Sequence, residues 1–180
     1  ASEKKKRSDY TAIAVIGLAD DKNMYLLDLY RDRLNLAERV QLVMALHRVW
    51  RPKMVGYEKY GMQSDISYLH QVQGEDNYRF DVRELGGISS KIDRIKRLVP
   101  ILANRQFFIP YELYRETYDG KTVNLVEALL SEELLLFPVA THDDMLDAIS
   151  RIFDVDMVYP RSRIEKRTQD RYSMEKKRAY

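Results

Sequence analysis

Apolar residues change their spacing along the chain, and each change predicts a different secondary-structure element. Residues 10–18 and 24–30 are two apolar stretches rich in residue types that favour strands. The polar run 20–23 between them has the composition of a turn, so the pair predicts an antiparallel β-hairpin. The chain is therefore expected to open with two strands side by side in one sheet.

A helix is predicted after the hairpin. Its apolar residues recur at helical spacing on one face as far as Trp50, and Pro52 ends it. Asn35 precedes the first helical residue and Glu38 follows three positions later, which is the spacing of a capping box. The apolar segment 53–58 then predicts a buried parallel strand, because a helix is the usual crossover between parallel neighbours.

Short strands and helices alternate in the rest of the chain. The pattern predicts a helix at 63–71, a strand at 78–85, and a helix capped by Ser89 or Ser90 that Pro100 bends or shortens. A strand at 106–109 and a hairpin turn at Asp119-Gly120 follow. Two helices are predicted last: one from Thr122 or Asn124 through Leu136, ended by Phe137-Pro138, and one at about 142–153, capped by Thr141. This order predicts a mixed α/β fold, with antiparallel strands first and parallel strands after them.

The composition is that of a single globular domain, and it excludes several kinds of chemistry. The chain has 180 residues, 30 Lys+Arg against 28 Asp+Glu, and a net charge of +2. It has no cysteine, which excludes disulfides, zinc–thiolate sites and thiol nucleophiles. No apolar run approaches the roughly 20 residues that cross a bilayer, and no signal peptide is recognisable. We therefore expect an intracellular protein without a membrane partner.

Positive charge is concentrated at the two ends of the chain. Residues 4–7 are Lys-Lys-Lys-Arg, and residues 161–180 contain a second group of lysines and arginines. Such runs are either solvated ends or a basic arm for a polyanion such as nucleic acid, and the sequence favours neither interpretation. On this basis we divide the chain into a domain at residues 1–160 and a basic tail at residues 161–180.

Glu58 is the first candidate for a functional carboxylate. It ends an apolar strand, at the edge of the sheet where open α/β folds place ligands and reacting groups. A solvated glutamate at a strand end is the alternative interpretation. The chain contains no glycine-rich phosphate loop and no nucleophile elbow, so the sequence predicts no ATP site.

A second group of acids begins the last helix, and its members are Asp143, Asp144 and Asp147, directly after His142. Helix capping explains part of this group, because Thr141 and Asp144 have capping-box spacing. Asp147 can also pair with Arg151 one turn later. Such a concentration of like charge is nevertheless costly unless cations offset it, and Mg²⁺ or Mn²⁺ prefers carboxylate oxygens.

The candidate acids fall within an ordered set of short motifs. These motifs are residues 9–17 (DYTAIAVIG), 55–58 (VGYE), 91–95 (KIDRI), Phe137-Pro138 and 142–148 (HDDMLDA). In this order and spacing, the set resembles the C-terminal nuclease domain of tailed-phage terminase large subunits. The resemblance extends from about Asp9 to Phe153, which is nearly the whole chain.

The resemblance implies a ribonuclease H-like fold, with helices on a central mixed sheet. The implied activity is endonuclease cleavage of concatemeric double-stranded phage DNA in the cytoplasm of the infected bacterium, with two Mg²⁺ or Mn²⁺ ions as cofactors. The full protein of this family carries an ATPase motor. The implied partners are therefore double-stranded DNA, that ATPase domain, the small terminase subunit and the portal protein.

The resemblance also implies roles for single residues. The implied catalytic and metal-binding carboxylates are Glu58, Asp144 and Asp143, with Asp9 as an auxiliary ligand and with His142 and Asp147 assisting. For Asp9 the alternative is a turn cap, and for His142 it is a surface histidine. The family's first catalytic aspartate lies on a strand ahead of the motif at 9–17, whereas this chain begins at Ala1. We therefore expect that strand to be missing here and the active centre to be incomplete.

Three basic residues are candidates for DNA contact. Lys91, Arg94 and Arg97 follow one another at i, i+3 and i+6, so they share much of one helix face. They form either a solvated face or a contact with DNA phosphates, which carries no sequence information. Two other functions stay open: a non-catalytic module that docks DNA or the portal, and another ribonuclease H-like nuclease of the resolvase or transposase type.

Overall fold

A computed structural model gives the structure of the chain over residues 10–58, 63–87 and 89–161. Asp9, the basic start and the tail from residue 162 lie outside these described residues, so the expectations stated for them stay predictions. The described part is a mixed α/β structure, as its sequence pattern predicts.

The predicted hairpin is present at the start of the described chain. Strands β1 (Thr11–Leu18) and β2 (Met24–Asp32) pair in antiparallel register, with a bulge where Val15 and Ile16 meet β2. The other edge of β2 pairs in parallel with the short strand β5 (Phe107–Phe108). The strand order is therefore β1-β2-β5, and β1 lies at an edge of this sheet.

A second, smaller sheet follows the first helix. Helix α1 (Leu36–Trp50) begins with the predicted capping box, in which Asn35 and Glu38 each accept a hydrogen bond from the other's backbone amide. Strand β3 (Val55–Glu58) pairs in parallel with β4 (Val82–Leu85). Helix α2 (Gln63–Glu75) lies between them in the chain, which is the crossover expected for parallel strands.

The second half of the chain is mostly helical. Its elements are α3 (Lys91–Lys96), α4 (Val99–Ala103), the hairpin β6 (Tyr114–Glu116) and β7 (Thr122–Asn124), α5 (Leu125–Ala128), a π-helix (Leu129–Leu134), α6 (Asp144–Ser150) and a 3₁₀ turn (Arg151–Asp154). Ser90, and not Ser89, caps α3. Asn124, and not Thr122, caps α5. Pro100 lies in the first turn of α4, where proline costs no helical hydrogen bond, so the predicted single helix is divided in two.

The described strands form three separate sheets instead of the single sheet that we expected. Within the described residues, no strand pairs with the outer edge of β1, and β3 pairs only with β4. Paired strands must lie about 4.8 Å apart, and residues of β1 and β3 instead line a common cavity. Among the helices of the described chain, none is both long and apolar enough to cross a lipid bilayer.

Candidate functional site

A cavity of about 340 Å³ lies between the first two sheets. Its walls include consecutive residues of β1, from Thr11 to Ile16, and all four residues of β3. Neighbouring side chains of a strand point to opposite faces, so consecutive lining residues mean that the cavity runs along the strand edges. The charged side chains on its wall are Glu58, Lys91, Asp144, Asp147 and Arg151.

Glu58 lies where the sequence predicts it, as the last residue of β3. Its carboxylate accepts a hydrogen bond from Arg151, and the same guanidinium donates to Asp154 Oδ2 at 3.0 Å. The Glu58 side chain is 47% exposed, so a solute in the cavity can reach it. The structure thus brings Glu58 and Asp144 to one cavity from opposite halves of the chain, and their catalytic role stays a prediction.

Asp143 and Asp144 stand at the start of α6 and share one cation. Lys91 Nζ, from α3, lies 2.5 Å from Asp143 Oδ1 and 3.0 Å from Asp144 Oδ1. Burial disfavours the charged amine, but hydrogen bonds to the two carboxylates outweigh this cost and raise the pKa of Lys91 above its ordinary value. The like charges at this helix start are therefore offset by a lysine held between them.

The predicted cap of α6 is wrong. The helix begins at Asp144 with Asp143 as its N-cap residue, and no side chain from the capping position bonds the first turn. Thr141 therefore does not cap the helix. The amides of Met145 and Leu146 donate instead to Glu133, at 3.3 Å to Oε1 and 2.9 Å to Oε2. A carboxylate from another element thus supplies the cap that local spacing assigned to the loop.

Asp147 pairs with a different arginine from the one that helical spacing suggests. Arg94 donates to both of its carboxylate oxygens, with Nε 2.9 Å from Oδ1 and Nη2 2.8 Å from Oδ2. This two-point ion pair raises the pKa of Arg94 and joins α3 to α6 beside the cavity. Arg151, the partner expected one turn later, is turned towards Glu58 and Asp154.

The three predicted DNA-contacting cations are each paired with an acid. Lys91 holds Asp143 and Asp144, Arg94 holds Asp147, and Arg97 Nη1 lies 2.7 Å from Asp154 Oδ1. The side chains of Lys91 and Arg97 keep about a third of their surface exposed, whereas that of Arg94 is 12% exposed. Contact with a phosphate is thus geometrically easier for the first two, and the DNA role of all three stays a prediction.

His142 lies next to the acids but not in hydrogen-bonding contact with them. Its Nδ1 is 4.0 Å from Asp144 Oδ2, beyond the length of a hydrogen bond. The imidazole ring instead packs edge-on against Tyr10, with centroids 5.2 Å apart. The assisting role predicted for His142 therefore rests on proximity alone and stays a prediction.

Glu133 is the first residue near the site that our sequence reasoning missed. It lies in the π-helix, its side chain is fully buried, and Arg31 of β2 pairs with it at 3.3 Å. Burial raises the pKa of Glu133 above its ordinary value, against the opposing effect of the two amides and of Arg31. A signal was available: Glu133 follows the buried Leu129 at i+4, the spacing of a core position.

Tyr57 and its partners form a second missed group, directly behind Glu58. The Tyr57 hydroxyl donates to Asp65 Oδ2 at 2.8 Å, and Arg39 donates to both Asp65 oxygens at 2.7 and 3.0 Å. Asp65 is 1% exposed, and burial together with its negative charge raises the pKa of Tyr57. The triad fixes the end of β3 to α1 and α2, and so determines where Glu58 stands.

The donor chemistry of the site fits a divalent cation in part. Asp143 and Asp144 direct one oxygen each at the Lys91 ammonium, so the pair already holds a cation jointly. Their oxygens are the hard donors that Mg²⁺ and Mn²⁺ prefer. Within residues 10–58, 63–87 and 89–161, however, no group of three or more His, Asp or Glu side chains is arranged to hold a metal ion. Glu58 lies on the wall of the same cavity, paired with Arg151.

Comparisons with known proteins gave structural neighbours only. No protein-family model matches the chain, and no curated protein matches it. One similar structure is the large terminase nuclease from thermophilic phage G20c with bound cobalt, at 16% identity and a TM-score of 0.46, over 84% of this chain and 83% of that one. Another is the same nuclease with bound magnesium, at 18% identity and a TM-score of 0.45, over 86% and 83%. Both are terminase nucleases, the family that the sequence motifs resemble.

Proposed function

We propose that this chain is the metal-dependent endonuclease domain of a viral DNA-packaging terminase and that it cleaves double-stranded DNA. The observation that carries the proposal is that Glu58 and Asp144, from opposite halves of the chain, line one cavity. The ordered motifs that contain both residues support the same function. In this proposal the fold is ribonuclease H-like and the nuclease domain spans residues 1–160.

Asp143, Asp144 and Glu58 would hold the divalent ions, with Asp9 as an auxiliary ligand. The support for the first two is their shared cation, because an ammonium between two carboxylate oxygens marks a place where positive charge is stabilised. We propose two ions, Mg²⁺ or Mn²⁺, which when bound activate a water nucleophile and stabilise the leaving oxygen of the phosphodiester.

The other charged residues of the site hold these carboxylates in place. Arg94 fixes Asp147, and with it the first turns of α6, against α3. Arg151 orients Glu58 from the C-terminal end of the same helix. Lys91 and Arg97 retain exposed surface beside the acids, and in this proposal they contact the DNA backbone without reading sequence. His142 would assist at the edge of the acidic group.

The biological setting follows from the proposed activity. A packaging nuclease cuts concatemeric phage DNA in the cytoplasm of the infected bacterium, and it works beside an ATPase domain, a small terminase subunit and a portal protein. The basic tail at residues 161–180 would lie close to the DNA, since clustered lysines and arginines bind phosphates through charge alone. These partners are part of the proposal.

A non-catalytic docking module is the second candidate. It is favoured by the ion pairing at the site, where every acid on the cavity wall already has a basic partner. It is also favoured by the lack of a three-residue metal group among the described residues. In that case Asp143, Asp144 and Glu58 would only stabilise the fold. The two candidates differ in what they predict for divalent cations.

Cleavage of a supercoiled plasmid tests the nuclease. We expect nicking and linearisation with Mn²⁺, none with EDTA, and at least a tenfold loss in Glu58→Gln, because the amide is a weaker metal ligand than the carboxylate and changes at mere partners of metal ligands already cost about 10–100-fold. Glu116→Gln is the matched control, because Glu116 also ends an exposed strand and does not line the cavity. Equal cleavage with Mn²⁺ and with EDTA would contradict the proposal.

Thermal unfolding with and without Mn²⁺ separates the two candidates. A metal site raises the unfolding temperature by mass action, by an amount that grows with the Mn²⁺ concentration. We expect this rise in the wild type and in Glu116→Gln, and a smaller one in Asp144→Asn. If the chain is a docking module, the unfolding temperature should not rise in any of the three proteins. That result, together with the absence of plasmid cleavage, would reject the nuclease proposal in favour of the docking module.

A further inference from the structure

Glu133 is a fully buried carboxyl side chain beside the start of α6. Its side chain is 0% exposed. Both of its oxygens face the first turn of α6, where they accept hydrogen bonds from the Met145 and Leu146 amides. A buried carboxylate is costly unless several partners satisfy it. Glu133 has three in the described structure, since Arg31 pairs with it as well. The buried carboxylate of Glu133 therefore serves to fix the start of α6.

The first turn of α6 depends on this contact. Helix starts leave their first amides without intrahelical partners, and these amides are usually satisfied by a local side chain. Asp143, the N-cap residue, makes no such bond. Glu133 therefore fixes the backbone directly after Asp143 and Asp144, whose oxygens share Lys91 Nζ.

The π-helix places Glu133 where it can reach this turn. A π-helix is rare and is usually found where a functional arrangement requires it. Here the Leu135 amide donates to the Leu130 carbonyl five residues earlier, at 3.0 Å. Glu133 and Leu129 are the buried residues of this segment, so the carboxylate takes a core position and is directed at α6.

Arg31 links the same carboxylate to the loop before α6. Its guanidinium bonds Glu132 Oε2 at 2.7 Å and Glu133 Oε1 at 3.3 Å. The guanidinium also lies over the Tyr10 ring, 5.5 Å from the centroid, and Tyr10 packs against His142. His142, before Asp143, is thus connected to Arg31 through Tyr10, and Met145, after Asp144, is connected to Glu133 directly.

We propose that Glu133 is a positioning residue, which fixes the start of α6 and thereby sets the Asp143 and Asp144 carboxylates around Lys91, with Asp144 on the cavity wall. As far as it concerns metal binding, this inference rests on the proposed function. It predicts that Glu133 affects Mn²⁺ affinity without touching the metal. Partners that orient metal ligands typically change affinity about 10–100-fold when they are removed.

The test compares Glu133→Gln with Glu132→Gln in the full chain. Glutamine keeps the shape of the side chain and one acceptor oxygen. Glu132 also pairs with Arg31, but it is 53% exposed, and the Met145 and Leu146 amides donate to Glu133 instead. Hydrogen exchange at the Met145 and Leu146 amides reports the cap directly. We expect at least tenfold faster exchange in Glu133→Gln and unchanged exchange in Glu132→Gln. Equal exchange rates in the two variants would overturn the proposal.

A second readout separates positioning from a general loss of stability. Leu129→Ala creates a cavity in the same segment without removing the cap, so it serves as a variant matched in destabilisation. The Kd for Mn²⁺, fitted from the rise in unfolding temperature against Mn²⁺ concentration, should increase about tenfold in Glu133→Gln and stay unchanged in Leu129→Ala. A similar rise in both variants overturns the positioning role. If the wild type shows no response to Mn²⁺, the proposed function fails, while hydrogen exchange still decides whether Glu133 fixes α6.

Discussion

The two carboxylate groups of the site rest on two different hydrophobic cores. The larger core packs the first sheet against the later helices, and its buried residues are Leu26, Leu29, Ile95, Leu98, Leu125, Ala128, Leu129, Met145, Leu146 and Ile149. The smaller core lies between α1, α2 and the second sheet, and its buried residues are Val40, Val43, Met44 and Leu69. Asp144 begins α6, which belongs to the larger core, and Glu58 ends β3, which packs against the smaller core.

The difference shows that the two cores are stabilised in different ways. The larger core buries many aliphatic side chains, and the elements that form it also carry buried charged residues, among them Glu133 and Asp147. The smaller core has few buried aliphatic residues and adds a buried ion pair, Arg39 with Asp65. It also adds a ring stack, in which His47 lies 3.7 Å from Phe80 between ring centroids. Ion pairs therefore support the positions of both Glu58 and Asp144, and the smaller core differs in its fewer aliphatic residues and its aromatic stack.

Removal of Asp65 should have the largest effect on this comparison. Asp65→Ala removes the carboxylate that neutralises the Arg39 guanidinium and accepts from the Tyr57 hydroxyl, and breaking a buried ion pair in this way costs about 3–5 kcal/mol of unfolding free energy. Asp76→Ala is the control, because Asp76 and its partner Arg48 are both more than 40% exposed and such a pair contributes about 0–1 kcal/mol. Urea unfolding measures both. Similar losses in the two variants would show that the triad does not support the smaller core.

Truncating one buried side chain in either core should lower the unfolding free energy by about 2–5 kcal/mol. The two truncations should differ in which helices then show faster hydrogen exchange. Met145 and Leu69 are both 0% exposed, one in each core. In Leu69→Ala we expect faster hydrogen exchange in α1 and α2 than in α6, and in Met145→Ala the reverse. The same pattern of exchange in both variants would mean that the two cores unfold as one unit.

The connection across the cavity should contribute less than either core. Arg151 joins Glu58 to the end of α6, but half of the Glu58 side chain is exposed, so water screens the pair. Arg151→Ala is expected to lower the unfolding free energy by about 1 kcal/mol or less, as measured in urea. A loss as large as that of Asp65→Ala would show that this contact holds the two halves together.

The smallest expected effect is a pH dependence of the smaller core. Burial lowers the pKa of His47 below its ordinary value of 6.5, so the folded state takes up its proton at a lower pH than the unfolded state does. Stability from this residue is complete above pH 6.5 and is lost as the pH falls below it. The unfolding temperature measured from pH 7.5 to 5 should therefore fall less in His47→Phe than in the wild type. Identical profiles for these two proteins would remove His47 as the cause.

Local contacts could be predicted from the sequence, and long-range ones could not. The capping box of Asn35 and Glu38 involves neighbouring residues, so its spacing alone identifies it. The cap of α6 comes from Glu133 in another helix, and no spacing near Thr141 or Asp144 indicates it. Glu58 and Asp144 line one cavity, and the family resemblance of the motifs, not any local spacing, indicated that they belong together.

Pairing among charged residues was the least predictable property of the site. Helical spacing suggested Arg151 for Asp147, but packing of α3 on α6 brings Arg94 within reach with better geometry. The acids on the cavity wall are therefore held by cations from elements that lie far away in the chain. The division into separate sheets was missed for a similar reason, since alternating apolar residues indicate a strand but do not identify its neighbour.

The outer edge of β1 has a practical consequence for work with this protein. Its amide and carbonyl groups have no neighbouring strand among the described residues, and all eight of its residues are half-buried. An open edge of this kind is a template on which another chain can add a strand. Self-association through β1 would close the cavity in each molecule, so dilution should increase any activity that requires the cavity to be open.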